Sequence, residues 1–327
     1  MSDHHTTSPG PLPKSSRSLA PLDAGRLRLL REAALRGSIS AASRTLGLTP
    51  SAVSQQLTAF EREVGMPLLD RSPRGATLTG AGRLLVARAE EVADVLVAAR
   101  ADLDRMLGTH AGTVTIAGVS SAAVTFVSDA LVALAHDQPG IDVSVFVAEP
   151  SVSLDMVVNG DADVAIIDEY DYVPIALPDH TVARVLLAEP LVAVVPVGAR
   201  IPARPRLLDL ADARWVMPPN DAACGRALRS ACRAAGFEPD VHWETDDLLV
   251  LVRAVAAGHG VAVIPQLSVH AGSASVEVRS LHKPGLERRL TAVARASVLT
   301  RPVVADVLDA LALKAEAVQP RQRRTGD

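Results

Sequence analysis

Three residues within a span of four, Gly47, Thr49 and Pro50, constrain this chain more than any other feature. Glycine ends a helix by adopting the left-handed conformation, threonine accepts from an orphan N–H at the next helix start, and proline suits the first helical turn. One helix must therefore stop and another begin within about three residues. Upstream, Gly37 followed by Ser38 or Ser40 sets a second stop and start, so residues 26–65 parse into three helices. In the third, Val53, Leu57, Phe60 and Val64 recur at spacings of 4, 3 and 4 and predict one buried stripe, with Ser51, Ser54, Gln55, Thr58 and Arg62 on the other face. A short helix, a tight turn and a polar-faced helix form the helix-turn-helix arrangement, whose last helix enters the DNA major groove. Small hydroxyls permit close approach, and Gln55 can pair bidentately with adenine. On spacing alone, a plain three-helix bundle with a polar face stays open.

Charge supports the first reading. The formal net charge of -4 divides into ten arginines against four acids over residues 26–88, or +6, and 21 basic against 31 acidic side chains over residues 89–327, or -10; residues 1–25 balance. A basic head on an acidic body suits a head that meets a polyanion and a body that does not.

The run Gly37-Ser38-Ile39-Ser40-Ala41-Ala42, then Leu46, Thr49-Pro50-Ser51-Ala52-Val53-Ser54-Gln55-Gln56-Leu57, Phe60-Glu61, Gly65, Pro67-Leu68-Leu69, Arg71, Arg74 and Leu78-Thr79-Gly80-Ala81-Gly82 resembles the N-terminal domain of LysR-type transcriptional regulators. The resemblance implies a winged helix-turn-helix that binds double-stranded promoter DNA. Its DNA-binding residues are expected to be Ser38, Thr49, Pro50, Ser51, Ser54, Gln55, Gln56 and Thr58, with Arg71 and Arg74 on the wing near phosphates. Gln55 stands where the family often carries Arg.

After the head, Leu85, Ala89, Val92, Leu96, Ala99, Leu103 and Met106 keep alternating spacings of 4 and 3, a heptad seam flanked by charged residues. Such a helix either packs on its own domain or pairs with a second copy. Pairing fits a head too small to cover it, and two heads so joined read a two-fold related site. The resemblance implies dimerisation through this linker helix, commonly a tetramer, and RNA polymerase as a further candidate partner.

The remainder alternates strand-like and helix-like runs, which predicts an α/β body around a mostly parallel sheet. Strands are expected at 114–119, 141–148, 164–168, 182–187, 191–196, 215–217 and 261–264, and helices at 122–136, 154–159, 222–235, 247–257 and 302–315. No nucleophile elbow or phosphate-loop lysine motif occurs, and the histidines are scattered singly, so no catalytic residue, metal site or cofactor is expected. Cys224 and Cys232, eight apart on one predicted helix and so about 12 Å apart in rise, cannot bridge within it. Buried structural thiols are expected there, with a redox-responsive regulator as the alternative.

Open α/β sheets bind ligands where strand ends meet helix starts. Those junctions supply Ser120, Ser121, Ser151, Asp168, Asn220, Asp221, Thr245 and Asp246 as effector-binding candidates; each is also a plain helix-cap residue type. Asp168, Glu169, Asp246 and Asp247 argue against a polyanionic effector unless arginines compensate. The runs Asn159-Gly160-Asp161-Ala162-Asp163-Val164-Ala165-Ile166, Glu189-Pro190-Leu191-Val192-Ala193-Val194-Val195-Pro196 and Val255-Ala256-Ala257-Gly258-His259-Gly260-Val261-Ala262-Val263-Ile264-Pro265 look like the same family's effector domain. That domain resembles periplasmic binding proteins, two α/β lobes joined by crossing strands with a small-molecule effector in the cleft.

The expected organisation is a multidomain α/β protein with a disordered tail (1–24), a winged helix-turn-helix (25–82), a linker and dimerisation helix (83–108), an effector domain (113–316) and a basic tail (317–327). Lobe I is expected at about 113–187 and 266–316, and lobe II at about 188–265. No apolar stretch reaches the ~18 residues of a membrane-spanning helix, and the first residues do not read as a secretory leader, so a cytoplasmic location is expected. A solute-binding module without a DNA role leaves the basic head unexplained, and an enzyme on the body lacks a nucleophile or acid–base pair.

Overall fold

The computed structural model describes residues 22–72, 75–106, 111–269, 275–282 and 285–319. The chain divides into two compact units, Met1–Leu96 and Val97–Asp327.

The first unit contains α1 (Ala24–Leu35), α2 (Ile39–Leu46), α3 (Pro50–Val64), the antiparallel hairpin β1 (Leu69–Ser72) and β2 (Gly75–Leu78), and the start of α4 (Gly80–Met106). The predicted punctuation is where the backbone turns. Ser38 Oγ accepts from Ala41 N at 3.1 Å, Gly47 adopts φ 65°, and Thr49 Oγ1 accepts from Ala52 N at 3.2 Å. Val53, Leu57 and Phe60 are fully buried against Leu30, Ala42 and Leu68, with Val64 half-buried at the margin. Each such burial contributes about 1.5–3 kcal/mol. Glu61 Oε1 accepts from the backbone N–H groups of Leu68 and Leu69, tying α3 to the hairpin. Gly82 lets α4 pass so close to the Leu68 carbonyl that any Cβ there would collide with it.

One expectation is corrected in α4. Leu85 and Ala89, assigned to the dimerisation seam, are buried in the core of the head with Val86. The first turns of the helix complete the same apolar cluster as Leu27, Leu30, Phe60 and Leu68, so that part of the stripe is used within the chain itself. From Val92 onward the stripe is exposed, with Leu96 at 61%, Leu103 at 54% and Met106 at 84%, and Ala99 also exposed.

The second unit is built on β3 (Gly112–Gly118), β4 (Ile141–Val147), β5 (Val164–Tyr170), β6 (Thr181–Pro196), β7 (Arg214–Met217), β8 (Asp240–Glu244), β9 (Ala262–Pro265), β10 (Val276–Ser280) and β11 (Glu287–Arg295). Its helices are α5 (Ser120–Ala122), continued by a π-helical turn (Ala123–Val127) into α6 (Ser128–Asp137), then α7 (Pro150–Asn159), α8 (Ala223–Ala234), α9 (Leu248–Ala256) and α10 (Pro302–Val318). The seven-stranded sheet runs β10-β6-β11-β5-β3-β4, with β9 also on β6, and β7 and β8 pair separately.

Here the sheet departs from the mostly parallel expectation. β3 pairs parallel with β4 and β5, and β7 with β8, but β11 runs antiparallel to both β5 and β6, and β9 and β10 antiparallel to β6. Residues 182–187 and 191–196 are one strand of 16 residues, because Pro190 sits where β6 changes partners and a ladder donor is dispensable. Thr181–Pro190 lies against β11, whereas Leu191–Pro196 lies against β9 and β10. β10 therefore belongs with the second lobe. After β10 the chain returns along β11, which pairs with the Thr181–Pro190 half of β6 from Glu287 onward. Separate apolar cores accompany the two lobes, one around Phe126, Ile166 and Leu311 and the other around Trp215, Leu228 and Val263.

Candidate DNA-reading helix and effector cleft

In the first unit, α3 presents Ser51, Gln55, Gln56 and Arg62 exposed, opposite the buried Val53, Leu57 and Phe60. Thr49 and Pro50 are exposed at its start, with the Thr49 and Ser51 hydroxyls 3.1 Å apart. Ser54 and Thr58 are half-buried on its flank, and Ser38 is half-buried with its hydroxyl engaged as the cap of α2. The expected wing contacts, the Arg71 side chain and Arg74, lie outside the described residues. Several head arginines are engaged within the chain, Arg26 with Glu63, Arg36 with Glu32, and Arg88 with Glu91. Glu63 and Glu32 are already subtracted in the net +6 of residues 26–88, so the first two pairs leave that excess unchanged.

In the second unit the crossing strands carry a buried charge group that the sequence reading passed over. Arg288, 1% exposed, faces Glu189, also 1% exposed, across the β11–β6 ladder, and donates to Glu189 Oε1 through Nε at 2.9 Å and through Nη2. Its Nη1 donates to Ser121 Oγ at 2.9 Å and lies 3.5 Å from Asp168 Oδ2. The Tyr170 hydroxyl donates to Asp168 Oδ2 at 2.8 Å, and the Leu267 N–H donates to Glu189 Oε2 at 2.6 Å. Burial alone would lower the Arg288 pKa, but the neighbouring Tyr170, Glu189 and Asp168 oxygens outweigh it and hold the guanidinium above its ordinary value. Burial and the Asp168 charge push the Tyr170 phenol well above its usual range, so it stays a donor. Ser121 and Asp168, two of the expected effector-binding residues, thus meet around an arginine and largely out of solvent. Sequence reasoning missed Arg288 because Glu287-Arg288-Arg289 reads as a solvated run; only the pairing of β11 with β6 supplies its partner.

Beside this group lies a cleft of about 520 Å³. Glu149, Pro150, Ser151, Leu154 and Asp155 line it from the start of α7 and Ile175, Ala176 and Pro178 from the loop after β5, while Pro219, Asp221, Ala222, Ala223, Arg226 and Asp246 line it from the second lobe. Of the predicted effector residues, Ser151, Asp221 and Asp246 are in this lining; Ser120 and Asn220 are outside it. Thr245 does what a cap residue does, its Oγ1 accepting from Asp247 N at 3.1 Å, while Asp247 Oδ1 accepts from Val250 N. The N-caps of α7 and α8, Glu149 and Ala222, make no side-chain cap hydrogen bond, and both helix starts line the cleft. Partial desolvation of the otherwise exposed Glu149 raises its carboxyl above the ordinary value, helped by the charges of Asp168, Asp246 and Asp221 and opposed by the weaker pull of Arg226.

Both thiols are free and sit where burial favours the neutral form. Burial pushes Cys224 up to about 12, against a smaller lowering effect of the neighbouring Tyr170 hydroxyl, and burial pushes Cys232 up to about 12 as well. Reactive cysteines need the opposite shift.

Residues 25–83 match the family model described as bacterial regulatory helix-turn-helix protein, lysR family, and residues 107–315 match the LysR substrate binding domain. The transcriptional dual regulator GltC of Bacillus subtilis (strain 168) is 27% identical over 243 residues, covering 74% of this chain and 80% of GltC. A full-length OxyR variant from Pseudomonas aeruginosa, carrying a single cysteine-to-aspartate substitution, has the same fold with a TM-score of 0.65 at 19% identity, over 90% of this chain and 96% of that one. Full-length CbnR, in a structure titled as complexed with the target DNA, aligns with a TM-score of 0.53 at 18% identity, over 90% of this chain and all of CbnR (100%).

Proposed function

The chain belongs to the LysR family of bacterial transcriptional regulators, and from that premise we propose how its residues divide the work of a DNA-binding regulator with an effector domain. The family is one of regulators, not enzymes. We assign base reading to the exposed face of α3, Ser51, Gln55 and Gln56, with Thr49, Pro50, Ser54, Thr58 and Ser38 placing the helix against the backbone and Arg71 and Arg74 adding phosphate contacts from the wing. The observation that carries this assignment is the division of α3 into a fully buried apolar stripe and an opposite polar face, started by a capped, proline-led turn.

The exposed stripe of α4, Val92, Leu96, Ala99, Leu103 and Met106, is the surface on which two copies pair, and dimers of this kind can assemble further into tetramers. The cleft lined by Ser151, Asp221 and Asp246 takes a small-molecule effector, and the buried Arg288–Glu189 pair holds the crossing strands on which the lobes turn. An effector that prefers one lobe arrangement by about 1–3 kcal/mol is enough to shift the heads between DNA-binding geometries. With promoter DNA as its partner, the protein works in the cytoplasm and meets RNA polymerase there.

The test is an electrophoretic shift with promoter fragments flanking the chain's own gene. Sequence-preferring, salt-sensitive binding is expected; equal binding to unrelated fragments would remove the DNA-reading assignment. The redox-responsive alternative has no support from the two raised thiols.

A further inference from the structure

The fold and family single out the cleft; its charge says what enters it. Four lining side chains are carboxylates, Glu149, Asp155, Asp221 and Asp246, against one guanidinium, Arg226. Arg226 is turned onto the backbone carbonyl of Asp221. Two uncapped helix starts contribute about +0.5 each, which reduces the excess but does not reverse it. The buried group behind adds to it. Arg288 is committed to Glu189 through Nε and Nη2 and reaches Asp168 only at 3.5 Å, so two carboxylates share one guanidinium, and the Asp168 charge acts on Glu149.

The carboxylates also come from both sides. Glu149 and Asp155 belong to the first lobe, and Asp221 and Asp246 to the second. Like charges thus face one another across the cleft and oppose its closure. An anion entering would add to that repulsion; a cation would cancel it and be held from both lobes.

We propose that the effector of this cleft is a small organic cation of the amine or guanidine class, bound by Glu149 of the first lobe and Asp221 and Asp246 of the second, and that it acts by drawing the two lobes together. The inference rests on reading the cleft as the effector site, and the two can fail separately.

The full-length protein is titrated with 1,4-diaminobutane and arginine, and with succinate as the diamine's isosteric dianion, by calorimetry. Binding of a cation and none of succinate is expected. Asp221→Asn/Asp246→Asn, at exposed positions, should weaken cation binding about tenfold or more, and added salt should weaken it on the unmodified chain as charges are screened. Tighter binding of succinate than of either cation, no binding of either cation, or cation binding indifferent to the double substitution and to salt would overturn the charge class. Ser151→Trp, which narrows the cleft mouth, separates the two readings. Loss of cation binding in that variant supports both; cation binding unchanged by it would place the ligand elsewhere and overturn the cleft reading itself.

Discussion

Arg288 and Glu189 face each other across the two strands that connect the lobes, joined through Nε and Nη2 to one carboxylate oxygen and almost wholly out of solvent. Buried charges cost several kcal/mol each in lost hydration, which only close, well-directed partners offset. The pair therefore fixes how β6 and β11 cross, and through Ser121 and Asp168 it ties the first-strand junction to the same point.

Removing one partner of this pair should cost far more than removing both. Arg288→Met or Glu189→Leu alone is expected to destabilise by about 3–5 kcal/mol, and the double substitution by clearly less than their sum. Urea unfolding of the four proteins reads this; additive losses would mean that the two residues do not act as a unit.

Gln55→Ala should relax base preference by about 1–3 kcal/mol at one position of the operator while leaving the salt dependence in place. Arg74→Ala should instead weaken all sequences alike and reduce the salt slope by about 0.9. Competition binding against single-base operator variants at several salt concentrations separates these outcomes.

On α4 the position along the helix decides the effect. Leu103→Glu, on the exposed part, should shift the oligomer toward monomers in sedimentation equilibrium with little change in the melting of the head. Leu85→Ala, inside the head core, should lower the stability of the head by about 2–5 kcal/mol.

Glu149 gives a pH signature. Its carboxyl is raised in the folded state by partial desolvation first and then by Asp168, Asp246 and Asp221. The folded chain therefore holds this proton to higher pH than the unfolded chain, so stability falls as pH rises from the ordinary carboxylate value through the raised one. Glu149→Gln should remove that fall, melting higher than the parent at neutral pH and converging with it in acid. Parallel melting curves at all pH values would count against the shift.

Cys224 and Cys232, both held up at about 12 chiefly by burial, should alkylate with iodoacetamide far more slowly at neutral pH in the folded protein than in urea. Thiolate-like reactivity of either in the native state would revive a redox role.

The sequence by itself determined the head. Caps, glycines and a 4-3-4 stripe act within a few residues of where they stand, so the helix breaks at Gly37 and Gly47 and the burial of Val53, Leu57 and Phe60 follow from local rules. The α/β character of the body was legible for the same reason, from runs that alternate in period, whereas its two lobes were implied only by the resemblance to the family's effector domain. Tertiary structure alone decided three things. Leu85 and Ala89 went to the core of the head because the helix that carries a seam must also cover its neighbours. β11 became a central antiparallel strand despite its charges: its Leu290–Ala294 run is buried between β5 and β6, and Glu189, 99 residues away in the chain, stands opposite Arg288. And Glu149, which was not among the effector-binding candidates, lines the same cleft as Asp221 and Asp246. Ion pairs and cavities depend on what the chain brings together from far apart, and no local pattern records a partner at such a distance.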